Sequence, residues 1–191
     1  MSHLLEFLQE DEFIDFSAPV IANKAIELFR GVNDDLAKVQ AAYVFVRDEI
    51  PHSFDVCSDV ITAKASDVLK HKTGICHAKS NLLAALLRSQ NIPAGFCFQR
   101  VTLGDDDSNG YVVHCFNAIF LNNQWVQMDV RGSAFACRPQ YDEYFWPGAF
   151  ANPHYETMQV LEQAKCLQDV LDNLPDTITA APDIKEIPPS L

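Results

Sequence analysis

The sequence predicts an α+β domain, helical in its first half and built of antiparallel strands after it. Apolar residues recur three and four positions apart up to about residue 90. Beyond residue 95 they crowd into short runs rich in Phe, Val, Ile and Trp, separated by Gly, Asp and Asn turns. Length is the third observation: the chain has 191 residues, 48% of them hydrophobic. A chain of that size buries roughly 70% of the surface its unfolded form exposes, enough for one core without disulfide or metal staples.

The elements follow in order. Ser17 and Pro19 open a helix carrying Val20, Ile21, Ala25, Ile26 and Phe29, which Gly31 closes; proline suits a first turn and glycine follows a last one. Asn33 is placed at the cap of a second helix, with Leu36, Val39, Tyr43, Val46 and Ile50 along one stripe. Pro51, lacking an N–H, stops it. A short third helix starts near Ser66. A fourth runs from about Cys76 to Gln90 with Leu82, Leu83, Leu86 and Leu87 inward, ended by Asn91-Ile92-Pro93. Strands are expected at 95–103, 111–121 and 125–130. The stretch Tyr141–Tyr155 is aromatic and broken by Pro147-Gly148. A further helix is expected over Glu156–Leu171, and the chain from Pro175 to Leu191 reads as extended or loose.

Lys+Arg 14 against Asp+Glu 26 gives a formal charge of −12. Such a field repels phosphate backbones and anionic membrane surfaces, so neither nucleic acid nor membrane is an expected partner. No apolar run approaches the roughly 18 residues of a membrane span. Cys57, Cys76, Cys97, Cys115, Cys137 and Cys166 are spread evenly with no CxxC pair, and Met1–Asp15 carries acidic residues where a secretory leader needs a basic and then an apolar stretch. A cytoplasmic protein with reduced thiols is the expectation.

Cys76 follows Thr73-Gly74 and opens the apolar fourth helix. A thiol there feels the positive end of the helix dipole and nearby unpaired N–H groups, which stabilise the thiolate. Alone it would read as one more small buried hydrophobe, as Cys97 and Cys115 do. Its candidate partners are His114 and Asp129. Asn122-Asn123 suits a two-residue type I′ turn, because Asn tolerates positive φ at both positions. Leu121 then pairs with Gln124, and counting back in step sets Asp129 opposite Phe116, two residues from His114 on the same face. Diagonal neighbours of this kind lie about 7–8 Å apart, within reach of long side chains, and a slip of one residue would separate them. The face of His114, Phe116, Ala118, Trp125, Gln127 and Asp129 is the one expected to receive the Cys76 helix.

These residues resemble the transglutaminase-like superfamily. Thr73-Gly74-Ile75-Cys76, with Leu82 to Arg88 and Ile92-Pro93-Ala94, is similar to that family's nucleophile helix. His114-Cys115-Phe116 and Trp125-Val126-Gln127-Met128-Asp129 are similar to its His-Ala-Trp and Trp-x-x-x-Asp segments. The resemblance spans about residues 66–131. It implies a papain-like, transglutaminase-core fold with the nucleophile helix packed on an antiparallel sheet. It also implies one domain over 1–191: a helical part at 1–50, a catalytic core at 51–131, and a cover and tail at 132–191. It further implies a triad in which Cys76 attacks a carbonyl, His114 shuttles the proton and Asp129 orients the imidazole. The Cys76 N–H would donate to the oxyanion. His52, in Pro51-His52-Ser53-Phe54, is a weak candidate for the second donor and is read as a loop histidine without catalytic duty.

The departures narrow the activity. Crosslinking transglutaminases resemble Gly-Gln-Cys-Trp at the nucleophile, whereas this chain has Gly74-Ile75-Cys76-His77, and Phe116 replaces the Trp after the histidine. His77 is not a substitute base, because adjacent helix residues do not face one another. Asp105-Asp106-Asp107-Ser108-Asn109-Gly110 matches the first half of a calcium loop, but its twelfth position is Phe116 and the segment reads as a solvated turn. Paired zinc-site cysteines are missing. No cofactor or metal is therefore expected. The expected activity is thiol-dependent amide hydrolysis or acyl transfer on a peptide, protein or small amide, peptidase or amidase first. Amine acyl transfer and a peptide-binding module without turnover are the alternatives.

Overall fold

Helix α4 (Cys76–Arg88) organises the domain: every residue from His77 to Arg88 is buried, the polar His77, Lys79, Ser80, Asn81 and Arg88 among them. A helix buried on every side must be enclosed by other elements, and its polar side chains must find partners inside. Here α1 (Pro19–Leu28), α2 (Asp35–Glu49) and α3 (Ala65–His71) pack around it, and strands β1 (Ala94–Thr102) and β2 (Tyr111–Leu121) cover the rest. Leu82, Leu83, Leu86 and Leu87 have no exposed surface, and burying each stabilises the fold by about 2 kcal/mol. The computed structural model describes residues 2–102 and 111–131, with strands β4 (Pro139–Trp146), β5 (Thr179–Ala180) and β6 (Lys185–Glu186). The acidic segment 105–110, the helix expected at 156–171 and the whole of the aromatic stretch after Trp146 lie outside the described residues.

The helix boundaries follow local chemistry with small adjustments. Asp34, one residue after the expected Asn33, caps α2, its Oδ1 accepting the Ala37 N–H at 2.8 Å. The stripe of α2 is buried through Val39, Ala42, Val46 and Ile50. Helix α3 has Lys64 at its cap, which lacks an acceptor. Asp15 supplies one from far away in sequence, accepting from Ser66 N at 3.0 Å and Ser66 Oγ at 2.5 Å. At the other end of α4, the Arg88 guanidinium donates to Ala94 O and Gln9 O, tying the helix to β1 and to the N-terminal segment.

The sheet has the order β5-β4-β1-β2-β3-β6, where β3 is Gln124–Met128. β1 to β4 are joined by antiparallel pairing, and β3 pairs in parallel with β6. A 3-10 helix at Ser2–Leu8, which the sequence pattern did not predict, lays Phe7 on the outer face of the sheet with Cys97, Phe116, Ala118 and Trp125. Among the described residues, no helix is long and apolar enough to cross a membrane.

Candidate active site

The nucleophile turn is held by close packing. Ser53 N donates to Gly74 O at 3.2 Å, and Thr62 Oγ1 donates to Thr73 O at 2.8 Å. A Cβ on Gly74 would lie 2.8 Å from the Ala78 Cβ and 3.1 Å from Thr62 Oγ1, so the turn closes onto α4 only with glycine there. Ile75 is the N-cap in extended conformation, and its C=O accepts the first intrahelical bond from Lys79 N. Cys76 is thus the first helical residue. Its N–H has no intrahelical acceptor, and its half-buried thiol sits at the positive end of the helix.

The β2–β3 hairpin places the other two candidates. Asn122 and Asn123 have φ of 52° and 62°, as a type I′ turn requires. Leu121 pairs with Gln124, and the register runs in step to Asn117 opposite Met128. Asp129 follows directly. The His114 Nε2–H donates to Asp129 Oδ2 at 2.6 Å, the carboxylate being acceptor-only. Arg131 N–H donates to the second oxygen, Oδ1, at 2.8 Å, and Tyr43 Oη on α2 donates to Asp129 O at 3.2 Å. Asp129 is therefore oriented by three contacts, of which the hairpin pattern anticipates the one to His114.

One expectation is corrected. The hairpin face of His114, Phe116, Ala118 and Trp125 does not carry α4; Phe7 covers Phe116, Ala118 and Trp125. Helix α4 packs on the opposite face, with Cys115, Ile119, Leu121, Val126, Met128 and Val130. Ser80 Oγ donates to Cys115 O, and the buried Asn117 Nδ2 donates to Ser80 O at 3.1 Å. Both faces of β2 are apolar, so alternation alone could not rank them. Cys76 is coupled to His114 nonetheless, because the thiol lies at the end of the helix: the ring pulls the thiol pKa down and the thiol holds the ring pKa up.

His52 is the residue the sequence reading undervalued. It is buried, bridges in parallel to Gly74, and lowers the pKa of the Cys76 thiol. The Phe54 N–H donates to its Nδ1 at 3.3 Å. The signal was faint, a histidine just past the proline that ends α2.

The electrostatics follow from these partners. Burial by itself would push the Cys76 thiol up, but the neighbouring His114 and then His52 side chains outweigh it, bringing the thiol down to about 6. For His114, burial opposes the charged ring, yet the Asp129 bond and then the Cys76 bond hold it up at about 10. The two together describe a thiolate–imidazolium pair near neutral pH. Cys115 shows the contrast: buried in the core, its thiol is pushed well above the ordinary value. His77 is brought down to about 4 by burial and stays neutral. Among the described residues no group of three His, Cys, Asp or Glu side chains is arranged to hold a metal ion.

The sequence profile of the transglutaminase-like superfamily matches residues 22–130. No curated protein matches the chain. Among solved structures, a candidate cysteine protease from Cytophaga hutchinsonii superposes with a TM-score of 0.56 at 17% identity, over 68% of this chain and 42% of that one. A candidate protease from Parabacteroides distasonis gives a TM-score of 0.45 at 13% identity over 75% and 28%. A structure described as a TGase gives 0.42 at 12% over 78% and 37%. The chain thus spans less than half the length of each. At these identities the likeness is one of fold, and the first of the three carries it.

Proposed function

The chain belongs to the transglutaminase-like superfamily, and on that premise we propose that it is a thiol-dependent enzyme that attacks an amide carbonyl through Cys76, with His114 and Asp129 completing the triad. The observation that carries this reading is the 2.6 Å hydrogen bond from His114 to Asp129, with the His114 ring acting on the Cys76 thiol at the start of α4. The Cys76 thiolate forms the bond to the carbonyl carbon, and the carbonyl π pair moves onto oxygen. His114, protonated and oriented by Asp129, then gives its proton to the departing nitrogen as the C–N bond breaks. Water or an amine, deprotonated by the same ring, resolves the thioester. Hydrolysis is the default outcome, which makes a peptide, protein or small amide the proposed substrate class.

Acyl transfer to an amine uses the same residues and differs only in the acceptor. A binding module that keeps the fold without turnover would have no use for His114 bonded to Asp129 beside a thiol at a helix start. The test is a screen of peptide and amide substrates against the wild-type protein, with Cys76→Ala as control. Turnover that vanishes in the variant supports the reading. Equal turnover in both proteins, or a Cys76 no more reactive than Cys57, sinks it.

A further inference from the structure

From the same site, and resting on the reading of Cys76 as nucleophile, we propose that the His52 side chain is the second donor of the oxyanion hole, acting through Nε2–H. The tautomer is set by the backbone. A peptide N–H can only donate, so the bond from Phe54 N leaves His52 Nδ1 as the acceptor and puts the ring proton of the neutral form on Nε2. With Nδ1 engaged in this way, Nε2 is the nitrogen left to act on Cys76, whose thiol pKa His52 lowers.

The ring is also fixed in place. His52 bridges to Gly74, two residues before the nucleophile, and Ser53 N donates to Gly74 O. Asp55 N donates to His52 O at 2.9 Å, and the Phe54 ring lies 5.3 Å away, centroid to centroid. His52 is buried, so its donor comes without a reorganisation cost from solvent.

The two histidines therefore divide the work by what their second nitrogens hold. The far nitrogen of His114 faces a carboxylate, which favours taking up a proton. That of His52 accepts from a backbone N–H, which leaves Nε2 as the nitrogen free to donate. When Sγ bonds to the carbonyl carbon, negative charge passes from sulfur to an oxygen one bond beyond that carbon. A donor already on the sulfur can follow that charge, and the Cys76 N–H at the start of α4 supplies its partner.

The experiment separates charge on sulfur from charge on oxygen. p-Nitrophenyl acetate acylates the thiolate through an oxyanion: the Sγ–C bond forms, the π pair moves to oxygen and returns, and the bond to the aryl oxygen breaks, releasing p-nitrophenolate. Iodoacetamide alkylates the same thiolate by displacing iodide, with no oxyanion. Both rates are measured in the full chain on the high-pH plateau, where the thiolate is fully formed and any change in the ionised fraction drops out; alkylation also reads any change in its nucleophilicity. His52→Met fills the space without an N–H, and His52→Gln keeps one. The expected result is a fall in acylation of about 100-fold in His52→Met, alkylation within about threefold of wild type, and recovery of at least about tenfold in His52→Gln. Acylation within about threefold of wild type in His52→Met overturns the proposal and reduces His52 to a tuner of the thiol. Equal losses in both reactions overturn it too, since Cys76 itself has then moved. If His52→Met does not fold, His52→Gln decides: a rate within about tenfold of wild type supports a donor, and a loss of about 100-fold refutes it. A wild-type protein that alkylates but releases no p-nitrophenolate refutes carbonyl attack by Cys76, a failure distinct from that of His52 alone.

Discussion

The Arg131 guanidinium donates to both carboxylate oxygens of Asp55, fastening the loop that carries His52 to the segment that carries Asp129. The same Arg131 donates its backbone N–H to Asp129 Oδ1, so one residue bridges both sides of the candidate site. Arg131 in turn holds the Asp55 carboxyl below its ordinary value.

Asp55→Ala tests that latch. The Asp55 side chain is 52% exposed, and pairs of this kind contribute about 0–1 kcal/mol. The melting temperature should move by no more than about 4 °C. Acylation of Cys76 should fall about tenfold, because small displacements of positioned groups cost rate more than stability. An unchanged rate would show that Ser53 and Gly74 hold the loop unaided.

The pH dependence of Cys76 alkylation follows from the sign of its shift. A free thiol ionises at about 8.5, whereas Cys76 is brought down to about 6, so thiolate is present at lower pH. Labelling should rise to half its plateau near pH 6, with Cys76 labelled first among the six cysteines. Turnover should also fall as pH climbs through about 10, where His114 gives up its proton. Mass spectrometry after brief iodoacetamide treatment reads the first; a half-point at 8 or above contradicts the thiolate–imidazolium pair.

Asp129→Asn keeps the shape and removes the charge. The imidazolium loses its anionic partner, so the thiol pKa should rise and the labelling half-point should move to higher pH. A change of this type costs about 10,000-fold in serine triads. A thiolate already formed leans less on the third residue, so a loss of about 10- to 1,000-fold in turnover is expected. Unaltered turnover and labelling would make Asp129 a structural partner of Tyr43 and Arg131 and nothing more.

Gly74→Ala addresses the nucleophile turn. The new methyl would meet the Ala78 Cβ at 2.8 Å, a group fixed to the helix backbone that cannot swing aside. Overpacking of this order costs about 1–3 kcal/mol. Urea unfolding should show that loss, and Cys76 labelling should slow because the helix start is pushed off His52. A variant as stable as wild type would mean that the turn relaxes freely.

Much of this was written locally in the chain. Proline at the start of α1 and after α2, the leucines of α4 and the Asn122-Asn123 turn act over a few residues, and their chemistry favours helix, strand and register without a long-range contact. The hairpin register alone brings Asp129 to His114, since pairing advances in step from the turn. The tertiary structure decided what periodicity cannot encode. Alternation says which residues share a face of β2 but not which element covers it, and with both faces apolar it was Phe7, far off in sequence, that took one and left the other to α4. His52 and Tyr43 belong to the same class. Each reaches the site through a contact spanning 22 or more residues, His52 by its bridge to Gly74 and Tyr43 by its hydrogen bond to Asp129. No spacing rule connects such positions, because only the packed core brings them together.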